Sequence, residues 1–313
     1  PSPEEWAELF LMADKSIALT ISHNLSGSYN AALAARDTLH TVSAERLYAE
    51  LDGLLLSPGA GKALAQYGEI LSGAVPEILP CIGCTQPGKW HCYDVWQHSA
   101  AAVGALDLRG QDTRGVRVLC WATFLHDIAK PVTKRWEPKA GWTFHNHNFI
   151  GEKMIPNIFR KMKLPMNEKM KYVQKMVSLH MRPIVIADDV VTDSAVRRLL
   201  FEAGDDIDDL MTLCEADITS KNMERKQRFL NNFALVRQKL KDLEEKDRIR
   251  NFQPPVSGEE IMEIFGLTPC KEVGSLKSAI KDAILDGVIP NEYEAARAYL
   301  FQKAKKMGLV PVK

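Results

Sequence analysis

The sequence predicts an all-α protein, and three observations lead to that fold class. From Thr41 onward, apolar residues recur at helical spacing, with breaks at Ser57-Pro58-Gly59 and at Phe252-Gln253-Pro254-Pro255. Residues of the kind that cap helices, such as Ser43 and either Thr192 or Asp193, precede several of these segments. Only residues 16–22 (SIALTIS) have the pattern of a strand, and a lone strand is not stable by itself.

The predicted elements follow one another with short connections. We expect helices at about 43–55, 60–71, 93–106, 114–129, 147–162, 167–180, 193–202, 206–220 and 221–250, and three short helices within 257–308. Trp136 to His145 indicates a loop or small hairpin around Gly141. These breaks divide the chain into an N-terminal arm (1–40), a helical neck (41–80), a core domain (81–250) and a helical tail (251–313).

Composition narrows the class of protein. The 313 residues are 46% hydrophobic and 26% charged, as in an ordinary soluble globular protein. Lys plus Arg and Asp plus Glu each number 40, so charge gives no support for RNA binding, and membrane binding is not expected. We find no signal peptide and no membrane span, and the six cysteines are scattered. The sequence therefore predicts a reduced, cytoplasmic protein and leaves a homodimer open.

One cysteine cluster suggests a structural zinc site. Cys81-Ile82-Gly83-Cys84 is followed by His91-Cys92. This pattern lacks the second half of the usual zinc-knuckle spacing. We therefore favour buried thiols in a loop.

Histidines and aspartates near the predicted helix ends form a more specific pattern. A single histidine on an apolar helix face is usually a satisfied core residue, and this chain has only eight histidines. A polar doublet such as His126-Asp127 inside an apolar run is costly to bury unless it is paired or ligated. Imidazole and carboxylate are ligands for divalent transition metals. The candidate ligands, in chain order, are His98, His126, Asp127, the His145-Asn-His147 pair, His180 and Asp217.

The motifs around these residues resemble the HD superfamily of metal-dependent phosphohydrolases. They are HCYDVWQHS, FLHDIAKP, FHNHNFIGEK, SLHMRP and EADITSKN. With VSAERLYAELDGLLLSP and the later run PPVSGEEIMEIFGL, residues 42–308 resemble the C-terminal part of bacterial tRNA nucleotidyltransferases that carry an HD domain. The resemblance implies an HD-domain helical bundle between the neck and the tail. The Gly-Ser turn and the strand-borne carboxylate pair of the nucleotidyltransferase head are not found, so CCA addition is not expected.

The resemblance also implies a role for each candidate residue. His98, His126, Asp127 and Asp217 would hold one ion, and Asp127 would bridge to a second ion held by His147 and His180. The cofactor would be one or two divalent ions of Mn, Fe, Co, Ni or Zn. A bound metal lowers the pKa of water from about 15.7 toward about 7, which supplies a nucleophile at neutral pH.

Two cations of the same motifs are candidate phosphate contacts. Lys130, shortly after Asp127, would neutralise a phosphoryl oxygen, and its alternative is a solvated surface lysine. Arg182 is a second candidate, with a structural ion pair as the alternative. One departure from the motif is Ala129, where glycine is common; the added methyl removes no ligand.

The predicted function is therefore hydrolysis of phosphodiesters through a metal-bound hydroxide. The substrates would be 2′,3′-cyclic or other cyclic nucleotides, and synthetic phosphodiesters or phosphotriesters could also be accepted. The alternative is a tRNA-binding remnant of a nucleotidyltransferase without catalysis. The piece ISHNLSGSYNAALAARD resembles a fragment of the DegV-type fatty-acid-binding family, where Ser26, Gly27 and Ser28 would meet a lipid carboxylate. We favour a fused arm or a dimer contact over lipid binding for residues 1–40.

Overall fold

A computed structural model describes residues 36–86, 92–106, 113–188, 192–219, 222–247 and 252–312. Almost all regular structure in these ranges is helical, which confirms the all-α fold class. The predicted strand at 16–22, residues 21–35 of the DegV-like piece, and His91 lie outside the described residues. Within the described ranges, every helix is too short or too polar to span a membrane.

The described elements follow the predicted order, with two additional short helices at Lys130–Thr133 and Met181–Asp188 that the sequence analysis did not predict. The helices are α1 (Ala44–Leu55), α2 (Ala60–Leu71), α3 (Val95–Ala105), α4 (Thr113–Leu125), α5 (Lys130–Thr133), α6 (His147–Lys161), α7 (Glu168–Leu179), α8 (Met181–Asp188), α9 (Asp193–Ala203), α10 (Ile207–Asp217), α11 (Met223–Asp247), α12 (Gly258–Phe265), α13 (Lys271–Leu285) and α14 (Tyr293–Lys306). Short 3₁₀ helices lie at Arg36–Thr41, Pro76–Cys81 and Gly204–Asp206. Strands β1 (Arg135–Glu137) and β2 (Gly141–Thr143) form an antiparallel hairpin.

The chain divides into two compact units. The first contains residues up to Met181 together with Asp209–Leu230, and the second contains Arg182–Asp208 and Asn231–Lys313. The division of the sequence into arm, neck, core domain and tail stays a prediction.

The first unit is a helical bundle around an apolar core. In it, α3 packs between α2 and α4, while α7 packs between α4 and α6. Leu64, Leu119, Phe124, Ile155 and Met176 are fully buried there. Because burial of these apolar side chains is the main stabilising force, the ends of α3, α4, α6 and α7 are held at fixed positions. Five of the six candidate ligands lie at or next to those ends.

The second unit has its own core. Helix α13 packs against α9, α12 and α14, and Leu276, Ile280 and Leu300 are fully buried. Arg198 on α9 pairs with Asp282 and Asp286 at 3.3 and 2.9 Å, which links that helix to the end of α13. These pairs are partly exposed and therefore add little stability.

The packing of α2 against α3 requires a glycine. A Cβ on Gly68 would lie 2.2 Å from the indole Nε1 of Trp96. That indole is buried and donates to the Leu64 carbonyl at 2.9 Å, so it has no room to move. By contrast, a Cβ on Gly53 in α1 would meet no atom within 4 Å.

These two glycines give a matched pair of variants. We expect Gly68→Ala to lower the free energy of unfolding by about 1–3 kcal/mol, because the added methyl overpacks the α2–α3 contact. We expect Gly53→Ala to raise it by about 0.5–1 kcal/mol, since alanine favours an exposed helical position more than glycine does. Denaturant titration of both variants checks the sign of each change, and equal effects would contradict the predicted contact.

One predicted helix ends earlier than the sequence indicates. The segment predicted to be helical to Ala129 leaves the helix after Leu125, and residues 126–129 form turns. The His126 imidazole Nδ1 lies 2.7 Å from the Thr123 carbonyl, which would accept the Asp127 amide in a continued helix. The prediction failed because side-chain competition for a backbone carbonyl leaves no trace in hydrophobic periodicity. The turn directs His126 and Asp127 into the bundle.

Candidate metal centre

The first unit brings all six predicted ligands together. His98 lies on α3, and His126 and Asp127 directly follow α4. His147 is the first residue of α6, His180 follows the last residue of α7, and Asp217 is the last residue of α10. Each lies on a different element or turn, so the centre depends on the tertiary fold. Their Nε2 and carboxylate oxygen atoms form two groups that share Asp127.

The first group surrounds one oxygen of Asp127. The His98 and His126 Nε2 atoms are 3.4 Å apart, and they lie 3.3 and 3.2 Å from Asp127 Oδ2. Asp217 Oδ1 lies 2.7 Å from His98 Nε2 and 3.3 Å from His126 Nε2. These four side chains therefore present four donor atoms to one small volume.

The second group surrounds the other oxygen of the same carboxylate. The His147 and His180 Nε2 atoms are 3.2 Å apart. They lie 3.3 and 3.7 Å from Asp127 Oδ1. The two oxygens of Asp127 thus face two different pairs of imidazoles, and the bridging of two ions by this carboxylate stays a prediction.

These separations fit a shared ion. Metal–nitrogen bonds of about 2.0–2.1 Å place two neighbouring ligands of one ion about 2.8–3.4 Å apart at octahedral or tetrahedral angles. Most of the measured separations lie in or near that range. Mixed imidazole and carboxylate donors suit Mn, Fe, Co, Ni and Zn.

The tautomers of three imidazoles are fixed by the backbone. The Nδ1 atoms of His126, His147 and His180 lie 2.7, 2.8 and 2.7 Å from the carbonyls of Thr123, Phe144 and Val177. A carbonyl only accepts hydrogen bonds, so each Nδ1 carries a proton and each neutral ring presents a lone pair at Nε2. In the neutral rings of His147 and His180, two lone pairs then face each other, and a cation between them removes that repulsion.

Electrostatics keep the carboxylates charged. Burial alone would raise the pKa of Asp127, but Lys130 and His126 lower it well below its usual range. The pKa of Asp217 is also well below the usual value, because His126 and His98 outweigh the effect of burial. Burial and the neighbouring imidazoles lower the pKa of His180 to about 3, so its ring stays neutral. Burial opposes protonation of His126, yet the two aspartates raise its pKa to about 10.

Asp127 is also under-satisfied as a hydrogen-bond acceptor. It is buried, and among the described residues neither of its oxygens accepts a hydrogen bond of ordinary geometry. Lys130 Nζ lies 2.6 Å from Oδ2 and forms an ion pair with it, although not a well-directed hydrogen bond. A buried carboxylate with two unused acceptors is costly unless a cation binds it. This observation fits a bound metal.

Lys130 is buried, which contradicts the alternative of a solvated surface lysine. Its amine donates to Gln86 Oε1 at 2.7 Å and lies 5.8 Å from the centre of the Phe144 ring. Lys130 is the first residue of α5, and its amine lies beside the carboxylate of Asp127 in the preceding turn. Its contact with phosphate stays a prediction.

Arg182 lies in the second unit, where its guanidinium pairs with Glu202 at 3.2 Å. That pair is the structural alternative that the sequence left open for Arg182. Its contact with phosphate also stays a prediction. The methyl of Ala129 is fully buried, and a Cβ on Gly151 would lie 3.7 Å from it.

Two supporting residues escaped the sequence analysis. Gln86 is buried and orients the Lys130 amine, but no motif marks it in the loop after Cys84. The Thr219 hydroxyl lies 2.8 Å from His98 Nδ1. Its position two residues after Asp217 is the one signal that could have drawn attention to it.

The cysteine cluster stays apart from these two groups. Cys81 is buried with its thiol 3.8 Å from the Ile128 carbonyl, and the Cys92 thiol lies 3.7 Å from the Thr219 carbonyl. None of the six cysteines, which all lie in the described ranges, forms a disulfide. His91 of the suggested zinc knuckle lies outside those ranges.

Comparison with known proteins agrees with this geometry. Residues 91–222 match the HD domain family, so the chain contains an HD domain. Over 84% of its length the chain is 32% identical to an A-adding tRNA nucleotidyltransferase of Deinococcus radiodurans. It is 30% identical over 82% of its length to a CC-adding tRNA nucleotidyltransferase of Thermus thermophilus. A multifunctional CCA protein of Vibrio vulnificus is 26% identical over 66% of the chain.

The predicted resemblance to HD proteins and tRNA nucleotidyltransferases is thereby confirmed. The chain spans 59% of the Deinococcus protein, 56% of the Thermus protein and 48% of the Vibrio protein. The matched HD region contains His98, His126, Asp127, His147, His180 and Asp217.

Proposed function

We propose that the protein is a metal-dependent phosphohydrolase that cleaves phosphodiesters, with 2′,3′-cyclic or other cyclic nucleotides as substrates. Synthetic phosphodiesters and phosphotriesters would be accepted as well. The observation that carries this proposal is the position of Asp127, with one oxygen toward His98 and His126 and the other toward His147 and His180. A carboxylate of that kind suits a pair of divalent ions.

Each residue has a defined task in this proposal. Four Nε2 atoms and the carboxylates of Asp127 and Asp217 would hold the metal, and binding would displace the proton that the raised pKa of His126 otherwise keeps on its ring. When bound, the metal supplies Lewis acidity toward a phosphoryl oxygen and an activated water at neutral pH. The Nδ1–H bonds of the imidazoles to backbone carbonyls keep the rings oriented.

Charge at the centre also favours a phosphodiester. Asp127 and Asp217 contribute two negative charges, and Lys130 contributes one positive charge. One divalent ion therefore leaves the centre net positive, and two leave it more so. A phosphodiester carries a single negative charge, which such a centre attracts.

The test is hydrolysis of bis(p-nitrophenyl) phosphate and of 2′,3′-cyclic AMP after removal and replacement of metal. We expect the stripped protein to be inactive and one of Mn, Fe, Co, Ni or Zn to restore turnover. His147→Ala should lose most of that turnover, because His147 belongs to the second group. The matched control is His145→Ala, which removes an exposed imidazole from the same His-Asn-His motif and should stay active. Equal turnover in the two variants would contradict the proposal.

The second candidate function is tRNA binding without catalysis, and the similarity to tRNA nucleotidyltransferases favours it. Its test is filter binding of tRNA across a salt series, since phosphate contacts make affinity fall with salt. Salt-dependent tRNA binding by a protein that no metal activates would support this candidate and reject the phosphohydrolase. Metal-dependent turnover would reject this second candidate, because it assumes that the protein has no catalytic activity.

A further inference from the structure

We propose that the outer face of the β1–β2 hairpin is a stacking surface for the bases of a single-stranded RNA 3′ end. This inference rests on the proposed function, because the terminal phosphodiester of that RNA would occupy the metal centre. It extends the proposed substrates from small cyclic nucleotides to oligoribonucleotides with several bases.

The hairpin exposes two tryptophans. Trp136 is 62% exposed and Trp142 is 42% exposed. They are paired directly across β1 and β2, so both side chains lie on the same face of the hairpin. Their ring centres are 5.6 Å apart with an interplanar angle of 69°. Two adjacent exposed aromatic rings of this size are typical of a surface that binds a partner.

A lysine and a third aromatic ring extend this face of the hairpin toward the segment that carries His147. Side chains alternate along a strand, so Lys134 and Phe144, which flank the paired tryptophans, share their face. The Lys134 amine lies 4.9 Å from the centre of a Trp142 ring. Phe144 lies 5.8 Å from the Lys130 amine, which in turn contacts Asp127 at 2.6 Å. Along this face the tryptophans are therefore followed by Phe144, whose ring lies near the lysine that pairs with Asp127.

The charge on this face favours nucleic acid. Lys134 is held by the Thr85 carbonyl and hydroxyl at 2.5 and 3.0 Å, which fixes its cation beside the Trp142 ring. The one acid of the hairpin, Glu137, points to the opposite face, where its carboxylate accepts from the Thr143 hydroxyl at 3.1 Å. Aromatic rings interleaved with cations are typical of single-strand nucleic-acid binding, because bases stack while phosphates meet the cations.

The hairpin is also anchored. Thr143 is buried, and the Phe144 carbonyl that ends the hairpin lies 2.8 Å from His147 Nδ1. A ligand of the second metal group is therefore oriented by the same segment that carries the tryptophans. A base stacked on the hairpin would hold its phosphate at a fixed position relative to that group.

The experiment compares two cyclic phosphodiesters in the metal-loaded protein. One is a short oligoribonucleotide that ends in a 2′,3′-cyclic phosphate, and the other is glycerol 1,2-cyclic phosphate, which has no base. In the double variant Trp136→Ala/Trp142→Ala we expect kcat/KM for the oligonucleotide to fall about ten- to hundredfold. Turnover of the glycerol ester should stay within about twofold. Met166→Ala, at another exposed apolar residue of the first unit, is the matched control and should change neither.

A binding measurement separates this inference from the proposed function. Fluorescence anisotropy of a 5′-labelled oligoribonucleotide needs no turnover, and the double variant should bind it at least tenfold more weakly than the parent protein. That result supports the stacking surface even if no metal gives hydrolysis. Unchanged RNA binding, or an equal loss of turnover on both esters, overturns it. Loss of a protein dimer in the double variant, with RNA binding intact, would assign the tryptophans to a contact between copies instead.

Discussion

Asp127→Asn is expected to abolish metal-dependent hydrolysis, with a fall in kcat/KM of about 10³-fold or more. The substitution keeps the shape of the side chain but removes its charge and replaces one oxygen by an amide nitrogen, which does not ligate these metals. Because each oxygen faces a different pair of imidazoles, either orientation of the amide deprives one group of its shared ligand. The effect should exceed the 10–100-fold cost of losing an outer partner of a ligand, as a rough guide. Elemental analysis should show reduced metal content.

The same substitution should also destabilise the metal-free protein. Lys130 is buried with its amine 2.6 Å from Asp127, and removing the carboxylate leaves that cation without its counter-charge. Breaking a buried pair in this way costs about 3–5 kcal/mol. Denaturant titration of the stripped protein measures it, and the double variant Asp127→Asn/Lys130→Met should recover part of the stability without recovering turnover.

A matched control separates lost stability from lost chemistry. Asp52 is another buried carboxylate of the first unit, where it accepts from the Trp121 indole at 3.0 Å and pairs with Arg117 at 3.2 Å. Asp52→Asn should lower the free energy of unfolding while metal content and turnover per folded molecule stay unchanged. Full metal content and turnover in Asp127→Asn would contradict the bridging role.

The helices and the hairpin could be predicted because their signals are local. Ser43 and Thr192 accept from the amides of Arg46 and Ala195, as expected of N-cap residues. The hairpin around Gly141 lies where the sequence indicates, and this glycine has a φ of +78° that favours glycine. The early end of α4 depends on one contact between the His126 imidazole and a backbone carbonyl, so the hydrophobic periodicity of the sequence could not predict it.

The candidate centre was predictable as a set of residues but not as a geometry. Histidines and aspartates at helix ends mark a metal site, but only the fold decides which oxygen of Asp127 meets which imidazoles. The burial of Lys130 depends on Gln86, which lies 44 residues earlier in the chain and follows no motif. No sequence pattern indicates that Trp136 and Trp142 are exposed, because aromatic residues in a hairpin are usually half-buried. Long-range contacts of this kind are the part of the structure that local patterns do not encode.

Lys130→Met is the second substitution with a large expected effect. Two roles of Lys130 have to be distinguished. In the first it neutralises a phosphoryl oxygen of the substrate, and in the second it only balances the charge of Asp127. In the first role, its loss should lower kcat/KM by about 10²–10³-fold, since a preorganised cation at a developing charge contributes on that scale. Metal content should then stay close to that of the parent protein, because the ligand set is intact.

Gln86→Leu is the informative companion to Lys130→Met. It leaves the cation in place but removes the 2.7 Å contact that orients the amine, so we expect a smaller fall in kcat, on the order of tenfold, with KM nearly unchanged. A purely structural lysine would give the opposite pattern, in which Lys130→Met loses metal and stability while turnover per bound metal is preserved. The two variants measured together, for metal content, kcat and KM, therefore decide whether the buried cation acts on the substrate or only on the carboxylate beside it.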